Sequence, residues 1–389
     1  MPANSISYFA ETNDLRLRRR PFGIKQPDRL FHTYIIGKTG TGKTSLIETL
    51  AVQDMQAGRG LAVIDPHGDL AERLAAHVPR ERRSELVYLD APHVRQPYGY
   101  NPLRGVAMGH IPLAASGLLE AFKKLWPEAW GVRMEHVLRN ALYALLESGD
   151  ASLPDVLRMV SEPAFRGKVL KRVTNEQVRA FWTKEFPQYM TRYRQESIAP
   201  IQNKVGAFLA DPRLHRLFTR APIDLRFRRV MDEGLILVMN LAKGRLGEDS
   251  AKLLGALAVT TLALAAFSRA DSPEATRRPF FIYVDEFQEF TTVSVANMVS
   301  EIRKYGVGLI LAHQHLYQLA PEVRHAVLGN VGTLISFRLG PEDALVTGRE
   351  FEPVFSPQDL TNLANHDIYL KLMIDGSPSR PFSATTIRI

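Results

Sequence analysis

A chain of 389 residues, 45% hydrophobic and 23% charged, can bury a large core, which excludes disordered, collagen-like and disulfide-scaffold classes. It has no cysteine, so disulfides, thiolate zinc sites and cysteine nucleophiles are excluded as well. The formal net charge of +8 is compatible with a polyanionic partner, but equally with scattered surface charge.

Residues 1–30 hold 6 Lys+Arg against 3 Asp+Glu, including Arg16, Arg18, Arg19 and Arg20, and read as a basic N-terminal arm. The first fifteen residues lack the apolar centre of a signal peptide. Phe31–Ile36 is an apolar run ending in a glycine-rich turn. Lys43–Ala57 has helical spacing, and Leu61–Ile64 and Leu86–Leu89 are short apolar strands. Apolar runs alternating with helices predict a buried parallel sheet. Residues 112–222 hold 17 Lys+Arg against 11 Asp+Glu. They show helical periodicity, as at Gly131–Glu147 and Asn175–Phe186, with breaks at Pro127, Pro154, Pro163, Pro187 and Pro200. This block reads as an all-α inserted domain. The strand–helix pattern returns with strand Leu235–Met239, helix Ser250–Ser268, strand Phe280–Val284, helix Ser294–Tyr305 and strands Val307–Ala312, Thr333–Phe337 and Ile368–Ile374. Residues 31–111 and 223–389 therefore form one α/β nucleotide-binding domain, interrupted by the insertion. The apolar stretch Leu253–Phe267 is shorter than the roughly 20 residues a bilayer requires, and Thr260 and Thr261 interrupt it. It is expected to be a buried helix, with no transmembrane segment and a cytoplasmic location.

Three motifs carry chemistry. Gly37, Lys38, Thr39, Gly40, Thr41, Gly42, Lys43 and Thr44 satisfy G-x-x-x-x-G-K-[ST] between an apolar strand and a helix, with Ser45 following in that helix. The glycines let backbone N–H groups turn around phosphate oxygens, and the helix N-terminus adds its dipole. Lys43 would reach the β- and γ-phosphates, and the Thr44 hydroxyl would ligate Mg²⁺. Pro279–Val284 leads into Asp285 and Glu286, an apolar strand ending in two carboxylates. Asp285 suits the Mg²⁺ side, and Glu286 suits a general base that orients water, a hydrolase pattern rather than a kinase one. The next strand ends in His313, Gln314 and His315, and Gln314 is placed to touch both γ-phosphate and water. The two histidines lack a third metal-binding partner in sequence. The preceding helix ends Arg303-Lys304-Tyr305-Gly306, read either as a helix C-cap or as an arginine finger.

The motif order resembles the HerA/FtsK superfamily of DNA-pumping ATPases, and within it the cytosolic part of conjugative type IV coupling proteins. It runs from the phosphate loop through Asp65-Pro66-His67-Gly68-Asp69, Asn101-Pro102-Leu103, an α insertion, Asp285-Glu286 and Arg303-Lys304-Tyr305-Gly306 to Gln314. Met239–Gly244 and Ser336–Ala344 add to it. The resemblance covers about residues 31–110 and 230–385 and implies a RecA-like P-loop ATPase core with a mainly parallel sheet. By that resemblance Lys43 and Thr44 are the Walker A pair, Asp285 and Glu286 the Walker B pair, Gln314 the sensor glutamine and Arg303 the finger. Arg338 and Arg349 are alternative fingers, and Asp65 has a possible nucleotide-side role. It also implies ATP and Mg²⁺ as ligands, a hexameric ring, DNA as cargo, and a relaxase or secretion-channel partner. Unlike coupling proteins that begin with membrane helices, this chain shows none in sequence. A ring that moves protein, and an ATP-dependent assembly switch, are the rival readings.

Overall fold

The computed structural model describes residues 5–13, 18–219 and 221–388. Eleven strands make one sheet: β1 (Ile6–Thr12), β2 (Pro21–Lys25), β3 (Thr33–Ile36), β4 (Gly60–Asp65), β5 (Leu86–Asp90), β6 (Ile236–Asn240), β7 (Phe280–Val284), β8 (Val307–His313), β9 (Thr333–Ser336), β10 (Asp367–Lys371) and β11 (Phe382–Thr386). Their spatial order is β2-β1-β11-β10-β9-β3-β8-β7-β4-β6-β5. The six strands from β9 to β6 run parallel. Every residue of β3, β4, β6, β7, β8 and β9 is buried, which is why these segments read as continuous apolar runs rather than alternating ones. Their register aligns Ile36 with His313 and Ser336, Leu311 with Val284, and Val284 with Ile64. The C-terminal ends therefore lie along one edge, where open α/β sheets bind ligands.

The sheet extends beyond this parallel core through antiparallel pairings of β10, β11, β1 and β2. Within the stretch expected to be a basic arm, Ile6–Thr12 and Pro21–Lys25 are thus the two outermost strands. Phe9, Ala10 and Ile24 are buried, and Phe22 bridges Phe9 and Phe382 at centroid distances of 5.5 and 5.4 Å. This apolar content outweighs the arginines as the structural determinant. Arg19 pairs with Glu11 at 2.6 Å, whereas Arg16 lies outside the described residues. Buried Asp54 accepts from Arg29 at 2.8 Å, Arg59 at 2.8 Å and Tyr283 at 2.6 Å, and both arginines also donate to Ser7 of β1.

Two compact units emerge, one of Met1–Tyr88, Arg228–Ala242 and Arg269–Ile389, the other of Leu89–Phe227 and Lys243–Ser268. The second is helical and wider than the expected 112–222 block. It includes the helix Glu248–Ser268 because Gly117 of the helix Ile111–Leu125 faces Thr260, where a β-carbon would lie 2.6 Å from the threonine methyl. The helical span from Glu248 continues to Asp271, 24 residues that hold an apolar window of mean hydropathy 1.7, long and apolar enough to cross a bilayer and longer than the sequence suggested. Its apolar window is 83% buried within the protein, as in a core helix. Pro200, expected to break a helix, sits inside the helix Thr191–Ala210 instead. Ile198, Ile201 and Val205 are buried, so packing holds the segment helical despite the lost backbone donor.

Candidate active site

β3 delivers the chain to Gly37, and the helix Lys43–Gln56 begins at Lys43. Between them Gly40 and Gly42 have φ of +76° and +124°, conformations that a side chain would strain. Gly37 is also close-packed, since a β-carbon there would fall 2.5 Å from Phe337 Cβ. The Lys43 ammonium lies in the loop, donating to the Gly37 carbonyl at 2.6 Å and the Lys38 carbonyl at 3.1 Å. Burial lowers its pKa, opposed by the charges of Glu286 and Asp285.

β7 lies two strands from β3, across β8, and delivers the carboxylates. Asp285 accepts from the Thr44 hydroxyl at 3.2 Å and from the Glu286 backbone N–H at 3.0 Å. Burial first, then the neighbouring charges of Glu286 and Asp65, pushes its pKa up to about 6. Glu286 has φ +49° and ψ +49°, an unusual left-handed conformation for a glutamate of the kind that clusters at functional sites. Both its oxygens are held: Gln314 donates to Oε1, and Gln288 donates to Oε2 at 2.7 Å. Gln314 in turn accepts from the Thr39 hydroxyl at 2.7 Å. A chain of hydrogen bonds thus runs from the phosphate loop through the end of β8 to the acid after β7.

The other residues of the β8 end point elsewhere. His313 is buried against Tyr34, with the hydroxyl 2.8 Å from Nδ1, and burial lowers its pKa to about 3. His315 Nδ1 lies 3.0 Å from Asp343 Oδ2. The two histidines do not converge, and no metal-binding cluster of His, Cys, Asp and Glu occurs among the described residues. Asp65 accepts from the backbone N–H groups of His67 and Ala71, both at 2.9 Å, so it caps the loop and helix after β4.

The arginines divide. Arg303 is exposed, follows the helix Val293–Ile302 and stacks over Phe31 at 4.1 Å. It precedes β8, whose seven residues span about 23 Å to the end that meets the phosphate loop. Arg303 therefore does not join the loop of its own chain. Arg338 is adjacent to that loop: its carbonyl accepts from Lys38 N–H at 2.9 Å, and its guanidinium donates to Leu363 O at 3.2 Å and Asn365 Oδ1 at 3.0 Å. Arg349 is exposed in the turn Gly348–Glu350. Sequence reasoning missed Gln288 and His366. Gln288 had a signal in its position two residues after Glu286. His366, which packs on Gly42, had none, because contact across 324 positions leaves no local pattern.

No protein-family model and no curated protein matches the sequence. Solved structures do match. The plasmid coupling protein TrwB in complex with a non-hydrolysable ATP analogue superposes with a TM-score of 0.66 at 15% identity, covering 100% of this chain and 95% of TrwB. The sulphate-bound form of TrwB lacking its first 70 residues gives 0.67 at 14% identity, covering 100% and 95%. VirB4 of Thermoanaerobacter pseudethanolicus gives 0.66 at 15% identity, covering 100% and 97%. The fold is therefore the RecA-like P-loop ATPase fold, and the likeness to coupling-protein structures runs the length of the chain rather than only through the motif-bearing segments.

Proposed function

We propose that this chain is a Mg²⁺-dependent ATPase that acts as a motor of a conjugation-type or mobile-element DNA transfer system. The observation that carries the hydrolytic reading is the hydrogen-bonded line Thr39–Gln314–Glu286 beside the Lys43–Thr44–Asp285 cluster. Hard oxygen donors on Thr44 and Asp285, 3.2 Å apart, fit a magnesium ion, which when bound neutralises phosphate charge. The loop N–H groups and Lys43 orient the phosphates. Glu286, fixed by two glutamine donors, accepts the proton of the attacking water. Gln314 links that acid to the loop, so a change at the terminal phosphate is felt at Glu286. TrwB structures with an ATP analogue and with ADP and Mg²⁺ support the choice of nucleotide and metal.

The hexameric ring, Arg303 as a finger acting on a neighbour, and DNA as cargo belong to the same proposal. The position of Arg303 supports a role in trans, since its own loop lies beyond reach. The DNA reading rests less on charge than the sequence suggested. Within the helical unit Arg133 pairs with Glu196, Arg139 with Glu135, Arg158 with Asp155 and Glu162, Arg172 with Asp150, and Arg213 with Asp211. A Glu286→Gln variant tests the core claim. It should bind Mg²⁺-ATP with near-normal affinity and hydrolyse it at least about 10²-fold more slowly. Near-normal turnover would assign the base elsewhere.

A further inference from the structure

We infer that the cleft beside the edge strand β2 is a binding site for a small amphiphile with an alkyl or aryl body and a single carboxylate. The cleft has a volume of about 450 Å³, within the range of small-molecule sites. Ile6, Phe22, Leu372, Met373, Ile374 and Phe382 supply its apolar walls. It is open to solvent, with Ile6 37% and Ile374 47% exposed. At the Lys25 end of β2 the small hairpin of residues 373–378 is drawn in and closes it. There Asp28 accepts from the backbone N–H groups of Asp375 and Gly376 at 3.0 and 2.9 Å, and Lys25 pairs with Asp375 at 2.5 Å.

The two ends of the cleft differ in charge. The closed end holds the carboxylates of Asp28 and Asp375 against the single ammonium of Lys25, so it does not attract an anion. Arg20 borders the cleft at the other end of β2; it is exposed, and its guanidinium has no acceptor among the described residues. Apolar walls with one uncompensated cation at one end match an apolar body with one terminal anion. A planar guanidinium suits a carboxylate best, since it can donate two parallel N–H···O bonds to it. Burial of the body against the walls adds affinity in proportion to the apolar area covered. An added peptide strand fits less well. Arg20 N–H donates to the Thr12 hydroxyl, its carbonyl accepts from Thr12 N–H, and Gln26 N–H donates to the Ser5 carbonyl. By alternation, the backbone groups of Pro21, Gly23 and Lys25 face outward. Pro21 has no N–H to give, and β2 is only five residues long, two features that blunt a sheet edge against strand addition.

Calorimetric titration of the full chain with soluble decanoate, below its micellar concentration, tests this and should show one site per chain. Decylammonium should bind at least about tenfold more weakly, and Arg20→Met should weaken decanoate by about tenfold, the scale of a hydrogen bond to a charged group. Arg20→Glu should reverse the preference, binding decylammonium more tightly than decanoate, a gain that a loosened fold cannot produce. Ile374→Asp, at a half-exposed wall, should weaken decanoate while leaving the thermal midpoint of the free protein nearly unchanged. Absence of one-site decanoate binding, equal binding of decanoate and decylammonium, or an unaltered preference in Arg20→Glu would overturn the assignment. Binding to phosphatidylglycerol vesicles but not to soluble decanoate would also overturn it, giving the cleft to a membrane surface. Tighter binding of a capped Leu-Leu-Asp peptide than of decanoate would overturn it in favour of a protein partner.

Discussion

Asp285 shows how single residues trade stability for chemistry. Its carboxyl has a pKa of about 6, raised from 3.8, because burial and two neighbouring carboxylates disfavour the charge. A raised acid pKa means that the folded state holds the proton more tightly than the unfolded state. This contribution to stability is complete below 3.8 and lost as pH climbs to about 6. At pH 7.5 the ionised group costs up to about 3 kcal/mol. Asp285→Asn should therefore raise the urea or thermal midpoint of the nucleotide-free protein at pH 7.5, with the gain shrinking toward pH 4, and should lose Mg²⁺-dependent nucleotide affinity. A pH-independent difference, or one of opposite sign, would contradict the burial argument. The placement of Lys43, Thr44, Asp285 and Glu286 together was legible in sequence because local spacing next to strong apolar strands fixes it. Gln314 was legible from its place at a strand end. Asp65 was not, because whether a strand-end acid faces a ligand or caps the next helix depends on where that helix turns.

At the level of elements, the parallel core and the strand β10 were legible, and β1, β2 and β11 were not. β3, β4, β6, β7 and β8 are uninterrupted apolar runs, a signal that needs no partner to be seen. β1 and β2 are short, carry the charges of Glu11 and Lys25, and have Arg18, Arg19 and Arg20 between them, so charge masked the period-two pattern. Helix packing was visible only in structure. The close approach of the helices Ile111–Leu125 and Glu248–Ser268 rests on Gly117, against which Thr260 Cγ2 leaves no room for a β-carbon. Gly117→Ala should destabilise by about 1–3 kcal/mol, an overpacking cost exceeding the gain in helix propensity. Thr260→Ser removes the opposing methyl and should recover much of the loss in the double variant. Denaturant midpoints of the four proteins check this; additive effects would show that the contact is not the cause.

At the level of the whole molecule, the likeness to coupling-protein structures spans the full chain while identity is only 14–15%. The fold is shared at that low identity. The placement of Arg303 away from its own loop gives the ring proposal a test. Arg303→Ala should bind nucleotide nearly normally yet turn over about 10³-fold more slowly. Mixing it with Lys43→Ala should restore activity, because one subunit supplies the arginine and the other the intact loop. No recovery at any ratio, with assembly confirmed by light scattering, would rule out action in trans. The central claim, an ATPase whose turnover is coupled to DNA, is tested most directly by the steady-state rate of wild-type protein with and without double- or single-stranded DNA, with Lys43→Ala as the blank. Mg²⁺-dependent hydrolysis stimulated by one DNA form and absent in Lys43→Ala is the expected result. A wild-type rate no greater than that of Lys43→Ala would contradict the enzyme, and robust hydrolysis indifferent to both DNA forms would contradict the cargo.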